Sequence, residues 1–321
     1  MNGNAVYYDT NKVITMGGAP SYQNSNATTQ AYRVQINSAP TAPTVTQVGS
    51  MNYPRAFGNS VVLPNGKVVT VGGQTYAVPF SDANSILNAE QWDPTTGTFT
   101  IMAPEAEPRN YHSVAILLPD GRVFSGGGGL CGACSTNHPD GQIFTPPYLL
   151  NADGTLRPRP AIASAPTSAT TGQTITVTTG GPVSQFAMVR YGESTHSVDN
   201  DQRRVPLPIV SSSGNTYQLA IPSDPGIALP GPYMVFALDA SDTPSISTTI
   251  SITTAATQPP STHYGQTVFG DGPAAYWPLN DNGGVTAADL SGNGDTANYL
   301  GGGFTYRVPS PVGGPGAKVS H

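Results

Sequence analysis

The sequence has 321 residues; glycine (37) and proline (31) make up about a fifth of them, only 10% are charged, and the formal net charge is −6. The acidic balance argues against a nucleic-acid partner, which requires a basic face, and an apolar fraction of 37% argues against a chain too polar to build a core. No apolar run approaches the roughly 20 residues needed to span a bilayer, and the opening MNGNAVYYDTNKV lacks the charged start and apolar centre of a signal peptide.

In chain order, the first region is a repeat. Apolar strands end in paired glycines at Gly17-Gly18, Gly72-Gly73 and Gly126-Gly127, at spacings of 55 and 54 residues. That period is close to the kelch length of about 50, one β-propeller blade per repeat. Two repeats share an inner hairpin, SVVLPNGKVVTVGG (60–73) and SVAILLPDGRVFSGGG (113–128), turned by Pro-Asn-Gly or Pro-Asp-Gly. Residues 1–155 are therefore expected to form about three blades. A propeller closes with four to eight, so the N-terminus reads as truncated.

After LRPRP (156–160) the pattern changes to period-two alternation at 174–178, 217–221, 233–238 and 249–253. Short strands at this spacing predict an immunoglobulin-like sandwich over 156–255. A linker follows at 256–263. The stretches DGPAAYWPLND (271–281) and AADLSGNGDTANYLGGG (287–303) resemble the opening of a laminin-G or concanavalin-like jelly roll, so 264–321 is expected to be a truncated domain of that kind, with Trp277 as a core anchor rather than a sugar platform. The predicted class is all-β: a partial kelch-type propeller, an immunoglobulin-like sandwich and a jelly-roll stub.

Two of the five histidines stand in chemically suggestive surroundings. His112 follows Tyr111 in PRNYHSVAILLPDGRVFSGGGGLCGACSTNH (108–138), and His196 lies in VRYGESTHSVDNDQRRVPL (189–207), a polar stretch expected to be a long loop. His138 reads as a loop hydrogen-bonding residue, and His263 and His321 lie in linker and tail. Adjacent side chains of a regular strand point to opposite faces, so Tyr111 and His112 can share one metal ion only from an irregular strand start, which Pro108-Arg109-Asn110 permits. Cys131 and Cys134 cannot supply the four ligands of a structural zinc site; a disulfide or a free dithiol remains open.

Those segments, together with the blades and the sandwich from about Asn2 to Thr254, resemble the galactose oxidase and glyoxal oxidase family of copper radical oxidases. The resemblance implies the C-terminal part of a seven-bladed propeller followed by an early-set sandwich that sends a loop up the propeller channel. It makes Tyr111 an axial copper ligand and catalytic base, His112 and His196 equatorial ligands, and Cys131–Cys134 a disulfide. It matches Tyr22, Gln23, Pro79 and Phe80 to substrate-contacting residues. Arg203 and Arg204 are expected to brace the histidine loop through Asp201. The family's second cofactor, a tyrosine–cysteine thioether, belongs to earlier blades, and its residues are absent from this sequence.

The implied activity is oxidation of a primary alcohol, galactose or a related carbohydrate, to an aldehyde, with O2 reduced to peroxide. The implied protein is secreted, with its signal upstream of Met1, and monomeric at full length; this chain alone is expected to show little turnover. The competing expectations are a non-catalytic carbohydrate-binding module, for which copper is irrelevant, and a kelch scaffold for protein partners.

Overall fold

In a computed structural model of the chain, the residues described are 1–38, 40–254, 263–279, 286–298, 304–309 and 315–319, the last two stretches by their backbone. The chain divides into two compact units. The first comprises Met1–Thr167, Thr174–Ala220 and Pro232–Ile250, and the second Ser168–Gln173, Ile221–Gly231 and Ser251–His321.

The first unit opens with three consecutive antiparallel sheets. Strands β1 (Asn4–Asp9), β2 (Lys12–Met16), β3 (Ala31–Gln35) and β4 (Thr44–Gln47) form one, and β5 (Asn59–Val62), β6 (Val68–Val71), β7 (Asn88–Asp93) and β8 (Thr98–Pro104) the next. A third contains β9 (Ser113–Leu117), β10 (Val123–Gly127) and β11 (Gly141–Phe144). The inner strands β1, β5 and β9 are neighbours, as in successive propeller blades. Both expected hairpin turns form, closed by Gly66 N–H to Leu63 O at 2.9 Å and Gly121 N–H to Leu118 O at 2.8 Å. At φ +85° and +78°, each glycine occupies a conformation that a β-carbon disfavours.

The paired glycines act with a repeated Pro-Arg. The carbonyl of Arg55 accepts from Gly18 N–H (2.7 Å), and that of Arg109 from Gly73 N–H (2.8 Å), so each arginine ties its blade to the one before. The guanidiniums then donate to the first glycine of their own blade, Arg55 to Gly72 O at 2.6 Å and Arg109 to Gly127 O at 3.0 Å. Buried Arg55 also pairs with buried Glu90 at 2.9 Å. In the third blade the equivalent pair is therefore Gly127-Gly128 (φ +73° and +129°), one residue beyond the expected Gly126-Gly127. Gly126 stays inside β10, opposite Val114 of β9.

The sandwich follows. β12 (Ile162–Ser164), β14 (Thr174–Thr179), β19 (Ile209–Ser213) and β20 (Thr216–Ala220) make one sheet, in the order β12-β14-β20-β19. β15 (Gln185–Arg190), β18 (Arg204–Leu207), β21 (Gly231–Leu238) and β22 (Thr248–Thr253) make the other, in the order β22-β21-β15-β18. All four alternating stretches are strands. β14 keeps the alternation in its burial, whereas the last six residues of β21 are buried throughout, since a central strand is covered on both faces. One apolar core joins the blades to this second sheet, from Tyr8, Val61, Trp92 and Val123 to Val189, Met234 and Phe236. Between β15 and β18 the chain leaves the sandwich as a hairpin of β16 (Ser194–Thr195) and β17 (Val198–Asp199), which packs against β1, β5 and β9.

In the second unit, β13 (Ser168–Thr170) pairs in parallel with Ser251–Thr253. Further on lie a helix, α1 (His263–Gly270), and two strand pairs: β23 (Thr286–Ala287) with β24 (Ala297–Asn298), and β25 (Phe304–Pro309) with β26 (Pro315–Val319). Trp277, expected as a core anchor, remains 41% exposed, its indole N–H donating to the Asp295 carbonyl rather than being enclosed. Most of the expected linker, and His321, lie outside the described residues. No described helix is long and apolar enough to cross a membrane.

Candidate metal centre

Tyr111 and His112 form a turn just before β9. The blade period shows why this turn is irregular. Asn2, Phe57 and His112 recur every 55 residues and share left-handed backbone, at φ +61°, +61° and +68°. Phe57 is the second residue after Arg55, but His112 is the third after Arg109. One extra residue is thus inserted where Tyr111 sits. The positive φ at His112 turns its side chain to the same side as Tyr111, and the two rings stack with centroids 4.0 Å apart at 28°. A regular strand would have pointed them apart.

His196 arrives from the sandwich. With Ser197 it forms the two-residue turn between β16 and β17, at φ +52° and +65°. A hairpin turn with both central residues left-handed normally takes Asn-Gly. Here the positions carry His-Ser. Buried Ser197 donates through Oγ to the Asn110 carbonyl at 3.2 Å, tying the turn to the residue before Tyr111. The three rings then converge: His196 lies 4.9 Å from His112 and 5.8 Å from Tyr111.

The hairpin is carried on a polar frame. Asp199 Oδ1 accepts from the backbone N–H groups of Glu193 (3.0 Å), Asp201 (3.0 Å) and Gln202 (2.9 Å). Gln202 reaches into the blades, accepting from Val62 N–H at 2.8 Å and donating to Ser60 O at 2.6 Å. The expected bracing by Arg203 and Arg204 through Asp201 is corrected. Asp201 pairs with Arg190 at 2.7 Å, because Arg190 on β15 faces it across the root of the hairpin. Arg204 instead donates to Pro64 O at 2.7 Å, and Arg203 lies over the Tyr7 ring at 5.1 Å.

Each histidine has one ring nitrogen engaged. The Gly129 carbonyl can only accept, so His112 Nδ1 donates to it, at 2.8 Å, and Nε2 keeps its lone pair. His196 Nδ1 is 2.8 Å from Thr195 Oγ1; donation to that hydroxyl likewise leaves Nε2 available. Two imidazole nitrogens and a phenol oxygen suit tetragonal Cu(II) better than calcium or magnesium. An outer partner on the other ring nitrogen is the usual companion of a ligating histidine. The candidate set mixes one phenol with two imidazoles; among the described residues, no group of three or more His, Cys, Asp or Glu is placed to hold a metal.

Aromatic rings wall the group in. Phe80 lies 5.0 Å from Tyr111 and 5.5 Å from His112, Phe57 5.3 Å from Tyr111, and Tyr22 5.8 Å from Tyr111 and 5.5 Å from Phe57. The Tyr22 hydroxyl is pushed up to about 12, by desolvation first and then by its hydrogen bond with Tyr111, so it stays a proton donor at neutral pH. Pro79 is half-buried beside Phe80, and Gln23 is exposed next to Tyr22. His138 sits between two carboxylates, Nε2 at 3.1 Å from Asp82 and Nδ1 at 3.7 Å from Glu107. Cys131 and Cys134 are joined by a disulfide.

Phe57, Gly129 and Ser197 are missing from the sequence-based site. Phe57 was detectable, since it falls 54 residues before Tyr111 in the same position after Pro-Arg. Seven described residues other than Gly, Asn and Asp have left-handed backbone, and Phe57, Phe80, His112, His196 and Ser197 are five of them. Each costs on the order of 1–3 kcal/mol. Strain gathered in this way marks a site held against local preference.

Two family models match the chain, glyoxal oxidase N-terminus over residues 4–134 and the galactose oxidase-like early set domain over 159–252. The chain belongs to the galactose oxidase and glyoxal oxidase family. A galactose oxidase of Gibberella zeae is 45% identical over 257 residues, 79% of this chain and 38% of that protein. An aldehyde oxidase of Arabidopsis thaliana is 29% identical over 228 residues, 64% of this chain and 37% of that protein. A fungal alcohol oxidase of the AA5 family, solved in complex with copper, superposes with a TM-score of 0.77 at 39% identity, over 79% of this chain and 54% of that one. The chain thus spans well under half the length of the Gibberella zeae and Arabidopsis thaliana relatives, and about half of the solved alcohol oxidase.

Proposed function

We propose that Tyr111, His112 and His196 hold copper in a secreted oxidase that converts a primary alcohol, on galactose or a related carbohydrate, to an aldehyde while O2 becomes H2O2. The observation that carries this is the convergence of one phenol and two imidazoles from segments 84 residues apart, each imidazole with Nδ1 engaged and Nε2 available. A bound copper would supply a Lewis-acid site for the alcohol oxygen and a one-electron acceptor. Tyr111 is the chain's group for the hydroxyl proton, provided the alcohol lies within hydrogen-bond reach. Phe80 and Tyr22 stand against Tyr111, where they can pack on the substrate's carbon skeleton and exclude water, with Pro79 and Gln23 beside them on the rim. Tyr22, protonated, keeps a donor beside the Tyr111 oxygen.

Alcohol oxidation removes two electrons, so a second one-electron acceptor is required. Both cysteines of the sequence are bonded to each other, leaving none for a tyrosine–cysteine thioether. The chain by itself is therefore a metal-binding part of the catalyst. The disulfide suits an oxidising compartment such as the extracellular space. Loading the chain with Cu(II) and assaying peroxide with galactose tests both halves. One tightly bound equivalent and background peroxide are expected; no copper binding overturns the site, and substantial turnover overturns the need for a second acceptor.

A further inference from the structure

One residue clamps both members of the Tyr111–His112 pair. Gly129 N–H donates to the Tyr111 carbonyl at 3.0 Å, and the Gly129 carbonyl accepts from His112 Nδ1 at 2.8 Å. Gly129 is in the stretch 128–140 between β10 and β11, which has no helix or strand of its own. Its φ is +76°, and a β-carbon there would press on the Thr136 carbonyl, so the stretch folds back tightly on itself at this point. The fold-back is closed by the Cys131–Cys134 disulfide and by Asn137, whose side chain accepts from Cys131 N–H at 3.1 Å and donates to Gly132 O at 2.5 Å. At its tip packing contributes little: Leu130 is 80% exposed, Gly132 and Ala133 are exposed, and a β-carbon at Gly132 would meet open space, whereas the far end is held by His138 N–H donating to the Gly128 carbonyl at 3.3 Å.

We propose that the Cys131–Cys134 disulfide is the positioning element for the His112 imidazole, and that its reduction by a dithiol weakens metal binding at Tyr111, His112 and His196. The metal half rests on the reading of those residues as copper ligands. In the reduction the S–S bond breaks, two electrons and two protons pass to Cys131 and Cys134, and the dithiol closes to its own disulfide. Once the fold-back opens, Gly129 no longer presents its carbonyl. His112 then loses the acceptor that fixes its tautomer and ring orientation. Loss of such an outer partner typically costs about 10–100-fold in metal affinity.

Two measurements on the full chain test this. Nitrogen-15 NMR of the metal-free chain reads the His112 tautomer directly: Nδ1 protonated in the oxidised chain, mixed tautomers after dithiol treatment and in Gly129→Ala, which keeps the disulfide but displaces the carbonyl. Cu(II) titration of the Cys131→Ser/Cys134→Ser variant, free of thiols that could bind or reduce the metal, should give about 10–100-fold weaker binding. Should that variant fail to fold, the reduced wild-type chain supplies the tautomer comparison. An unchanged His112 tautomer after reduction overturns the positioning role, as does variant binding within about twofold of wild type. Absence of copper binding by the oxidised wild-type chain, with the tautomer still responding, overturns the ligand reading and leaves the clamp standing.

Discussion

The imidazole rings of His112 and His196 lie 4.9 Å apart, nearly perpendicular at 78°, although 84 residues separate them in the chain. One comes from a propeller blade and the other from the sandwich, and both stand on left-handed backbone. Neither local propensity nor burial explains that conformation, since His196 is exposed and Gly or Asn would serve a tight hairpin turn better. The arrangement makes sense as a device for aiming two nitrogens at one point.

Replacing His196 by Gly separates function from stability. The change relieves a left-handed residue that costs roughly 1–2 kcal/mol, so the unfolding midpoint should rise while copper affinity collapses. Chemical denaturation paired with a Cu(II) titration checks both. A loss of stability together with retained copper binding would contradict the assignment.

Gly72→Ala should damage the blade junction. A β-carbon there would overlap the Arg109 carbonyl at 2.0 Å, at a φ of +63° that L residues avoid. The atoms in the way are the Arg109 carbonyl and its Cβ, none of them the far end of a flexible side chain that could move aside. A destabilisation of about 3 kcal/mol or more is expected from strain of this kind, read by urea unfolding.

Removing one partner of the buried Arg55–Glu90 pair leaves an uncompensated charge buried in the second blade. Glu90→Ala should cost about 3–5 kcal/mol. The same truncation of Lys12, whose ion pair with Asp9 is partly exposed, should cost less than about 1 kcal/mol.

Glu105 gives a pH dependence of definite sign. Desolvation raises its carboxyl above 4.5, with Ser125 and Arg109 opposing. The folded chain therefore holds this proton more tightly than the unfolded chain. The stability linked to it is complete below pH 4.5 and falls as pH rises through the folded-state value. Glu105→Gln should flatten that limb of the stability–pH curve and stabilise the chain at pH 7. An unchanged curve would show that Glu105 ionises freely.

Much of this molecule could be read before its coordinates. The Pro-Asn-Gly and Pro-Asp-Gly hairpins and the alternating strands of the sandwich are local signals that appear where their patterns placed them, and the glycine-pair period holds except in the third blade, where the pair is shifted by one residue to Gly127-Gly128. The parts that could not be read depend on long-range geometry. The one-residue insertion at Tyr111 shows only when the arginine carbonyls and the φ values of successive blades are aligned. Asp201 could have met any of three nearby arginines, and the fold selects Arg190. Gly129 carries no chemistry in its side chain, so its backbone clamp on Tyr111 and His112 leaves no trace in composition. Trp277 was expected inside a core, and the described residues around it leave the ring partly open.

The most direct test is electron paramagnetic resonance of the Cu(II)-loaded chain, with nitrogen couplings counted in wild type, His112→Ala and His196→Ala. Two coupled imidazole nitrogens in wild type and one in each variant would place a single metal ion on both rings. Equal nitrogen counts in all three proteins, or copper bound as tightly without either ring, would show that the metal sits elsewhere.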